Sequence, residues 1–314
     1  MVPLEARFDP VMDIAVHPDA AALAAWDGPI DDTIAFTGRV ARHPRFPEAS
    51  RTLAGNMLAL AAADRALDGV FKDAGRYIAA MLAVYLDTTG GVTLPSLKDI
   101  CAQSGFLSPG RARALLAYML YLGYLELMPV SRRGVPGRYL LTSRFVESWR
   151  LYLASSLEAA QVIEPGVGVV SRALARAEVV DTYIRLQGET LFEASREAQR
   201  RSAFVEVFLN RHAGTQFIHT LVTATPPGAS PTGSVPGFSL AGTARRLGVS
   251  RIHLRRMLDD GERRGLLTLG PQGEIQFLDL GLDEIAFLYS LQIGRMLTCA
   301  ARTLKAHPQI ADQP

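Results

Sequence analysis

Arginine side chains are concentrated in one short stretch, Arg245 to Arg264, which contains seven of them within twenty residues. Three of the seven, Arg251, Arg255 and Arg256, come directly after a Gly-Val-Ser turn. A guanidinium carries a planar fork of N–H donors that pairs with a phosphate group or with the O6 and N7 atoms of guanine. The spacing of these arginines therefore predicts that the segment binds a polyanion, and nucleic acid fits this chemistry.

The basic charge is unevenly distributed along the chain, although the formal net charge is only +2 over 314 residues. Residues 96–144 contain seven basic and two acidic side chains, and residues 239–278 contain seven and four. The remainder contains nineteen basic and twenty-five acidic side chains. Two basic segments on an acidic body are the electrostatic pattern of a nucleic-acid binder. Two solvated helix faces are the alternative that composition leaves open.

The two basic segments are diverged copies of one sequence unit. Residues 96–127 and 239–269 align with one gap, which matches their serines, glycines and leucines. The similarity extends upstream, where residues 76–86 resemble residues 215–224. An internal repeat of this kind indicates that one half of the chain is a diverged duplicate of the other.

The second copy carries the local signals of two helices and a hairpin. A helix over Ser239–Leu247 is expected to end at Gly248, because glycine tolerates the positive φ of a tight turn. Ser250 then begins a second helix over Arg251–Arg264 as its N-cap, and Gly265 closes it. Two short strands joined by a Gly-Pro-Gln-Gly turn follow. This order predicts a helix-turn-helix with an attached hairpin.

The first copy repeats this order, with Ser108 as the N-cap and Pro109 at the first helical position. A longer hairpin follows, in the segment "YLELMPVSRRGVPGRYLLT". Because arginines occupy one face of each second helix, we expect the opposite face to be buried. The leucines expected on that face are Leu115, Leu116, Leu254 and Leu258.

The order of helix, four-residue turn, capped helix and hairpin resembles winged helix-turn-helix transcription regulators. The segment "ARRLGVSRIHLRRML" is similar to the motif of many bacterial repressors. The resemblance implies that the second helix of each unit enters the major groove and that the hairpin, the wing, contacts the DNA backbone or minor groove. It assigns DNA contacts to Ser108, Arg111, Arg113, Arg132, Arg133 and Arg138 in the first unit and to Ser250, Arg251, His253, Arg255 and Arg256 in the second. The second wing, with Gln272 and Glu274, is not basic.

Long amphipathic helices are predicted before and after each unit. In regulators that resemble the MarR family, helices in these places form the dimer interface, so the resemblance implies an intramolecular pseudo-dimer. The expected fold is mainly α with short β-hairpin wings, in which two winged-helix units are joined by long helices around a pseudo-twofold axis. Two separate units on a linker are the alternative, against which stands the short connection "QVIEPGVGVVS". The predicted helices are Pro47–Leu67, Ser143–Val162, Val169–Arg200 and Leu282–Leu304.

The chain is expected to divide into an N-terminal arm, residues 1–46, and two units with their flanking helices, residues 47–165 and 166–314. Trp26 and Phe36 of the arm are expected to pack against the body, and a covered ligand pocket is the alternative. Neither a signal peptide nor an apolar run of membrane-spanning length is recognisable. Cys101 and Cys299 lie in apolar helical patterns, which is typical of buried thiols in a reducing cytoplasm.

Patterns typical of enzymes, metal sites or cofactor sites are weak in this sequence. The six histidines form no pair at helical spacing and have no cysteine companion. The "GVGVV" segment lacks the third glycine of a dinucleotide-binding loop, and neither a Walker loop nor a Gly-x-Ser-x-Gly elbow occurs. The sequence therefore predicts a protein that is not an enzyme and that holds neither a metal ion nor a cofactor.

The predicted function is that of a cytoplasmic transcription regulator that binds double-stranded DNA as a monomer or a homodimer. A plasmid-type replication initiator with tandem winged helices is one alternative. A winged-helix module that binds another protein is a second alternative, which the acidic second wing favours. The DNA target and any small-molecule effector stay open.

Overall fold

The computed structural model describes residues 20–28, 33–104, 107–129, 136–198, 202–224, 238–270 and 274–311. The first half contains the helices α1 (Ala20–Ala24), α2 (Thr33–Ala41), α3 (Phe46–Ala63), α4 (Arg65–Val70), α5 (Ala74–Thr89), α6 (Leu94–Ser104), α7 (Pro109–Tyr121) and α8 (Ser143–Ile163), with the strands β1 (Val92–Thr93), β2 (Leu125–Leu127) and β3 (Arg138–Leu141). The second half contains α9 (Val167–Ala173), α10 (Ala177–Ala198), a π-helical turn (Val205–Leu209), α11 (Gly214–Ala224), α12 (Leu240–Arg246), α13 (Arg251–Arg263), β4 (Leu267–Leu269), β5 (Ile275–Phe277), α14 (Asp279–Ala306) and a 3₁₀ turn (Pro308–Ile310).

The described residues are mainly helical, with one small antiparallel sheet in each half. Strands β4 and β5 form a two-stranded hairpin. In the first half the predicted pair β2 and β3 is joined by β1, which pairs with the free edge of β3. The sequence pattern did not indicate β1, because a strand of two residues is too short to show alternation.

The predicted starts of the two capped helices are confirmed. The Ser108 hydroxyl accepts a hydrogen bond from the backbone N–H of Arg111 at 3.3 Å, and the Ser250 hydroxyl accepts one from His253 at 3.0 Å. Gly248, in the turn before α13, has φ +67°. A residue with a Cβ would be strained there, so the glycine itself shapes the turn.

The predicted buried face of the capped helices is also confirmed. Leu254 and Leu258 of α13 are 0% and 2% exposed, and Leu115 and Leu116 of α7 are buried. The two cysteines are buried thiols, as predicted.

Two of the predicted long helices are each interrupted. The predicted helix Pro47–Leu67 ends at Ala63, because Asp64 leaves the helical region and its carboxylate caps α4 by accepting from the backbone N–H groups of Ala66 and Leu67. The same carboxylate accepts hydrogen bonds from the hydroxyls of Tyr124 and Ser148. Burial raises the pKa of Asp64, but these four hydrogen bonds outweigh it and the net pKa is lowered. The prediction of one continuous helix was therefore wrong at this residue.

The predicted helix Val169–Arg200 is likewise two helices, α9 and α10, separated by a turn at residues 174–176. Helix α9 packs against α8 and α14, whereas α10 packs against α5 and α14. The turn between α9 and α10 lets the chain change direction from one set of contacts to the other.

The helices of the two halves exchange contacts. Within each half the first long helix packs against the last, α3 against α8 and α10 against α14. Across the halves, α3 packs against α11 while α10 packs against α5, and α8 contacts α14. The hydrophobic core is therefore continuous between the halves.

The N-terminal arm packs on α14 through α1 and α2. Trp26 is buried, and the ring of Phe36 lies where a Cβ on Gly294 would be. Both aromatic residues thus pack against the body as expected. None of the helices in the described ranges combines the length and the apolar content that a bilayer crossing requires.

Candidate nucleic-acid interface

The first turns of α7 and α13 hold most of the candidate residues, and one position in each helix is tied back to the protein. Arg111 is the third residue of α7, and its Nη2 lies 3.1 Å from Asp73 Oδ1. His253 is the third residue of α13, and its Nε2 lies 2.9 Å from the backbone oxygen of His212. Because a carbonyl oxygen only accepts, His253 Nε2 donates this bond and carries the ring proton.

The partners of Arg111 and His253 lie in two loops that are hydrogen-bonded to each other. Residues 71–73 precede α5, and residues 210–213 precede α11. The backbone N–H of Ala213 donates to the backbone oxygen of Lys72 at 2.7 Å. We call these two loops the junction. It joins the N-terminal turns of α7 and α13 by a short path of hydrogen bonds.

Asp73 is the acidic centre of the junction. Its side chain is 6% exposed and caps α5 by accepting from the backbone N–H of Arg76 at 2.9 Å. Two guanidinium groups, those of Arg76 and Arg111, compensate its charge at 3.3 and 3.1 Å. A buried carboxylate with two cationic partners and a helix cap is held tightly in place.

His212 occupies the corresponding place in the second loop. Burial first, and then the nearby cations of Arg76 and Lys72, lower the pKa of His212. Its ring is therefore neutral at neutral pH.

The candidate arginines of α7 and α13 that are not bound to the junction face solvent. On α13 these are Arg251 and Arg256, and on α7 it is Arg113. Arg255 is also exposed, at 60% of its side chain, and its Nε pairs with Asp259 at 2.7 Å one turn along the helix. Exposed pairs of this kind contribute at most about 1 kcal/mol, so a phosphate could take the place of Asp259.

The wing residues are only partly described. Arg138, the first residue of β3, is exposed and its guanidinium lies over Gly91. Arg132, Arg133 and Gln272 lie outside the described residues. Glu274 comes just before β5, and its carboxylate lies beside Gly270.

The structure thus places the described candidate residues in four groups. Arg111 and His253 are bound to the junction, whereas Arg113, Arg251, Arg255 and Arg256 project from α7 and α13. The two serines hold the helix starts. Arg138 stands apart on its strand.

Sequence reasoning missed the junction residues Lys72, Asp73 and His212. An aspartate directly before the apolar run "AGRYIAAMLAVYL" is an N-cap signal that could have located Asp73. Its contact with Arg111 could not have been located, because 38 residues separate the two in the chain.

Within the described ranges, no three His, Cys, Asp or Glu side chains come together as metal ligands. No protein-family model, curated protein or solved structure matches the chain.

Proposed function

We propose that the chain is a sequence-specific transcription regulator that binds duplex DNA through two winged helix-turn-helix units, arranged as an intramolecular pseudo-dimer. The single observation that carries this proposal is the division of α13 into two faces. Leu254 and Leu258 are buried, whereas Arg251, Arg255 and Arg256 are exposed on the first turns after a serine cap. A helix presented in this way has the form of a recognition helix in the major groove.

The pairing of the two halves supports the pseudo-dimer. A serine-capped helix followed by a hairpin occurs in each half, and the flanking helices exchange partners between the halves. In this arrangement α7 and α13 are the two recognition helices, and β2–β3 and β4–β5 are the wings.

Binding to genomic DNA fragments, followed by salt titration on the selected site, tests the proposal. Replacing Arg251 or Arg256 with alanine should weaken specific binding by about 1–3 kcal/mol where the side chain pairs with a base. Where the replaced arginine contacts only phosphate, its loss should instead weaken binding to all sequences alike and reduce the salt dependence by about one ion.

Arg185→Ala is the matched control. Arg185 is an exposed arginine of α10 that pairs with Glu189 at i,i+4, as Arg255 pairs with Asp259 on α13. The control should bind DNA as the parent does. Parental affinity in the Arg251 and Arg256 variants would contradict the proposal.

A protein-binding role is the second candidate, and one observation favours it for the first unit. Tyr121, at the end of α7, is 84% exposed, and Leu127 and Leu140 of the adjacent hairpin are 54% and 41% exposed. Large apolar side chains on a wing suit a protein surface better than a phosphate backbone. Unchanged DNA binding in an Arg113→Ala variant, with loss of DNA binding in Arg251→Ala, would assign the first unit to this second role.

A further inference from the structure

Lys72 lies in the first half of the chain, but two of its three hydrogen-bond acceptors belong to the second half. Its Nζ lies 2.8 Å from Asp68 Oδ2, 3.2 Å from Gln216 Oε1 and 3.0 Å from the backbone oxygen of Leu247. An ammonium group has three donors, and here each has an acceptor. The side chain is 13% exposed, so water competes little for these bonds.

The Leu247 carbonyl has a particular place in the second half. Leu247 is the C-cap of α12, and only Gly248, Val249 and the cap Ser250 separate it from α13. The last carbonyls of a helix attract a cation, because they lack partners inside the helix and carry the negative end of its dipole. Lys72 therefore holds the turn from which α13 starts.

Gln216 closes the contact from the second half. It is buried, and its Nε2 donates to Asp68 Oδ1, while its Oε1 accepts from Lys72. Asp68, Lys72 and Gln216 thus form a closed polar ring across the two halves.

The residue that follows Lys72 performs the matching task in the first half. Asp73 binds Arg111 on the first turn of α7, whereas Lys72 binds the turn before α13. Of these two successive residues in one loop, one therefore holds α7 and the other holds the turn that leads into α13. The side chains of Lys72 and Asp73 are little exposed, 13% and 6%, so water competes weakly for both attachments and the loop restricts how α7 and α13 move relative to one another.

We propose that Lys72 is a positioning residue that fixes α13 relative to α7 and so sets the half-site spacing that the chain accepts on DNA. The consequence for DNA rests on the proposed function, whereas the consequence for helix position does not. Dimeric helix-turn-helix proteins accept half-sites at one helical turn because their two recognition helices are held at a fixed separation. Here a single lysine contributes to that constraint within one chain.

The first experiment measures helix position without DNA. Spin labels on Ala117→Cys of α7 and Ile252→Cys of α13, both exposed sites, report the distance between the two helices by double electron–electron resonance. The native cysteines are buried. We expect one narrow distance distribution in the parent, a broadened or shifted one in Lys72→Met, and recovery in Lys72→Arg, which restores the cation.

Lys305→Met is the matched control. Lys305 also forms one ion pair, with Asp27, but it lies at the end of α14 and its partner belongs to the N-terminal arm. Its removal changes the net charge equally and should leave the distribution narrow. If Lys72→Met does not fold, Gln216→Leu removes one acceptor, keeps the lysine, and should broaden the distribution in the same way. An unchanged distribution in a folded variant would overturn the inference.

The second experiment separates this inference from the proposed function. Affinities are measured for the selected DNA site and for the same site with extra base pairs inserted between its halves. The parent should prefer its own spacing by about tenfold, within the range of coupling between sites in one protein, and Lys72→Met should lose most of that preference. A parent that binds no DNA fragment defeats the proposed function and leaves the spin-label result to stand. A Lys72→Met variant that keeps the full preference defeats the inference alone.

Discussion

Arg111 and His253 take the same place in the two halves of the chain. Each is the third residue of a serine-capped helix, and each binds a loop in its own half, the loop before α5 for Arg111 and the loop before α11 for His253. The chemistry differs, because Arg111 forms an ion pair with a buried carboxylate and His253 donates to a backbone carbonyl. The two positions thus have the same structural task with different residue types.

Substitutions at Asp73 should separate its charge from its role as a cap. Asp73→Asn keeps an oxygen for the backbone N–H of Arg76 but removes the charge that holds Arg76 and Arg111. Asp73→Ala removes both, so it should be less stable than the asparagine variant by about 1 kcal/mol, the usual contribution of an N-cap. Chemical denaturation of the three proteins measures this difference. Equal stability of the two variants would show that the cap contributes nothing.

Truncation of the buried face of α13 should be costly, and truncation of its exposed face should not. Leu258 is 2% exposed, so Leu258→Ala should lower the free energy of unfolding by about 2–5 kcal/mol. Ile252 lies on the same helix and is 65% exposed, so Ile252→Ala should change stability by less than about 0.5 kcal/mol. Thermal and denaturant unfolding of both variants provide the comparison. A larger loss at Ile252 would mean that the faces of α13 are reversed.

Stability should fall in mild acid because of one buried histidine. His219 Nδ1 lies 2.6 Å from the Tyr289 hydroxyl oxygen, and burial lowers the pKa of His219 to about 4 from the ordinary histidine value of 6.5. Between these values the unfolded chain binds a proton that the folded protein does not. The titration of His219 therefore leaves the free energy of unfolding unchanged above pH 6.5. As the pH falls from 6.5 toward 4, it lowers that free energy by up to about 3 kcal/mol.

His219→Gln provides the comparison for this titration, because glutamine keeps a hydrogen-bonding group near Tyr289 and does not titrate. The carboxylates are common to both proteins, so the difference in unfolding free energy isolates His219. That difference should shift in favour of the variant between pH 7 and pH 5. A constant difference over this range would show that the titration of His219 does not affect stability.

Removing the acidic partner of Arg255 should strengthen DNA binding. In Asp259→Asn the guanidinium loses its intrahelical ion pair, which is typically worth about 0.5 kcal/mol, and a carboxylate near the proposed groove-facing turns disappears. We expect a modest gain in affinity and a steeper salt dependence, measured by fluorescence anisotropy. The equivalent change at the control pair, Glu189→Gln, should have no such effect, and an affinity and salt dependence unchanged in Asp259→Asn would place Arg255 outside the interface.

Local features of the fold were predictable from the sequence, and long-range ones were not. The caps Ser108 and Ser250 and the turn glycine Gly248 act within a few residues of themselves, so sequence spacing located them. The interruption at Asp64 depends partly on Tyr124 and Ser148, which come from other elements. A 3.6-residue apolar period continues through such a break and cannot reveal it.

The candidate site divides in the same way. Exposure of the arginines follows from burial of the opposite leucines on a single helix, which is a local argument. The contact of Lys72 with Leu247 joins residues that are 175 positions apart. The packing of α3 on α11 and of α10 on α5 helps to bring these loops together, and no local sequence pattern in either half encodes that packing.

The exchange of helix contacts also determines how the polypeptide would tolerate being cut. Pro165 is exposed in the short connection between α8 and α9, whereas the apolar surfaces that join the halves are buried elsewhere. A break at this connection would leave those surfaces in contact. Two fragments produced together should therefore reassemble by complementation, while either one alone would expose the face of a long helix that its missing counterpart normally covers.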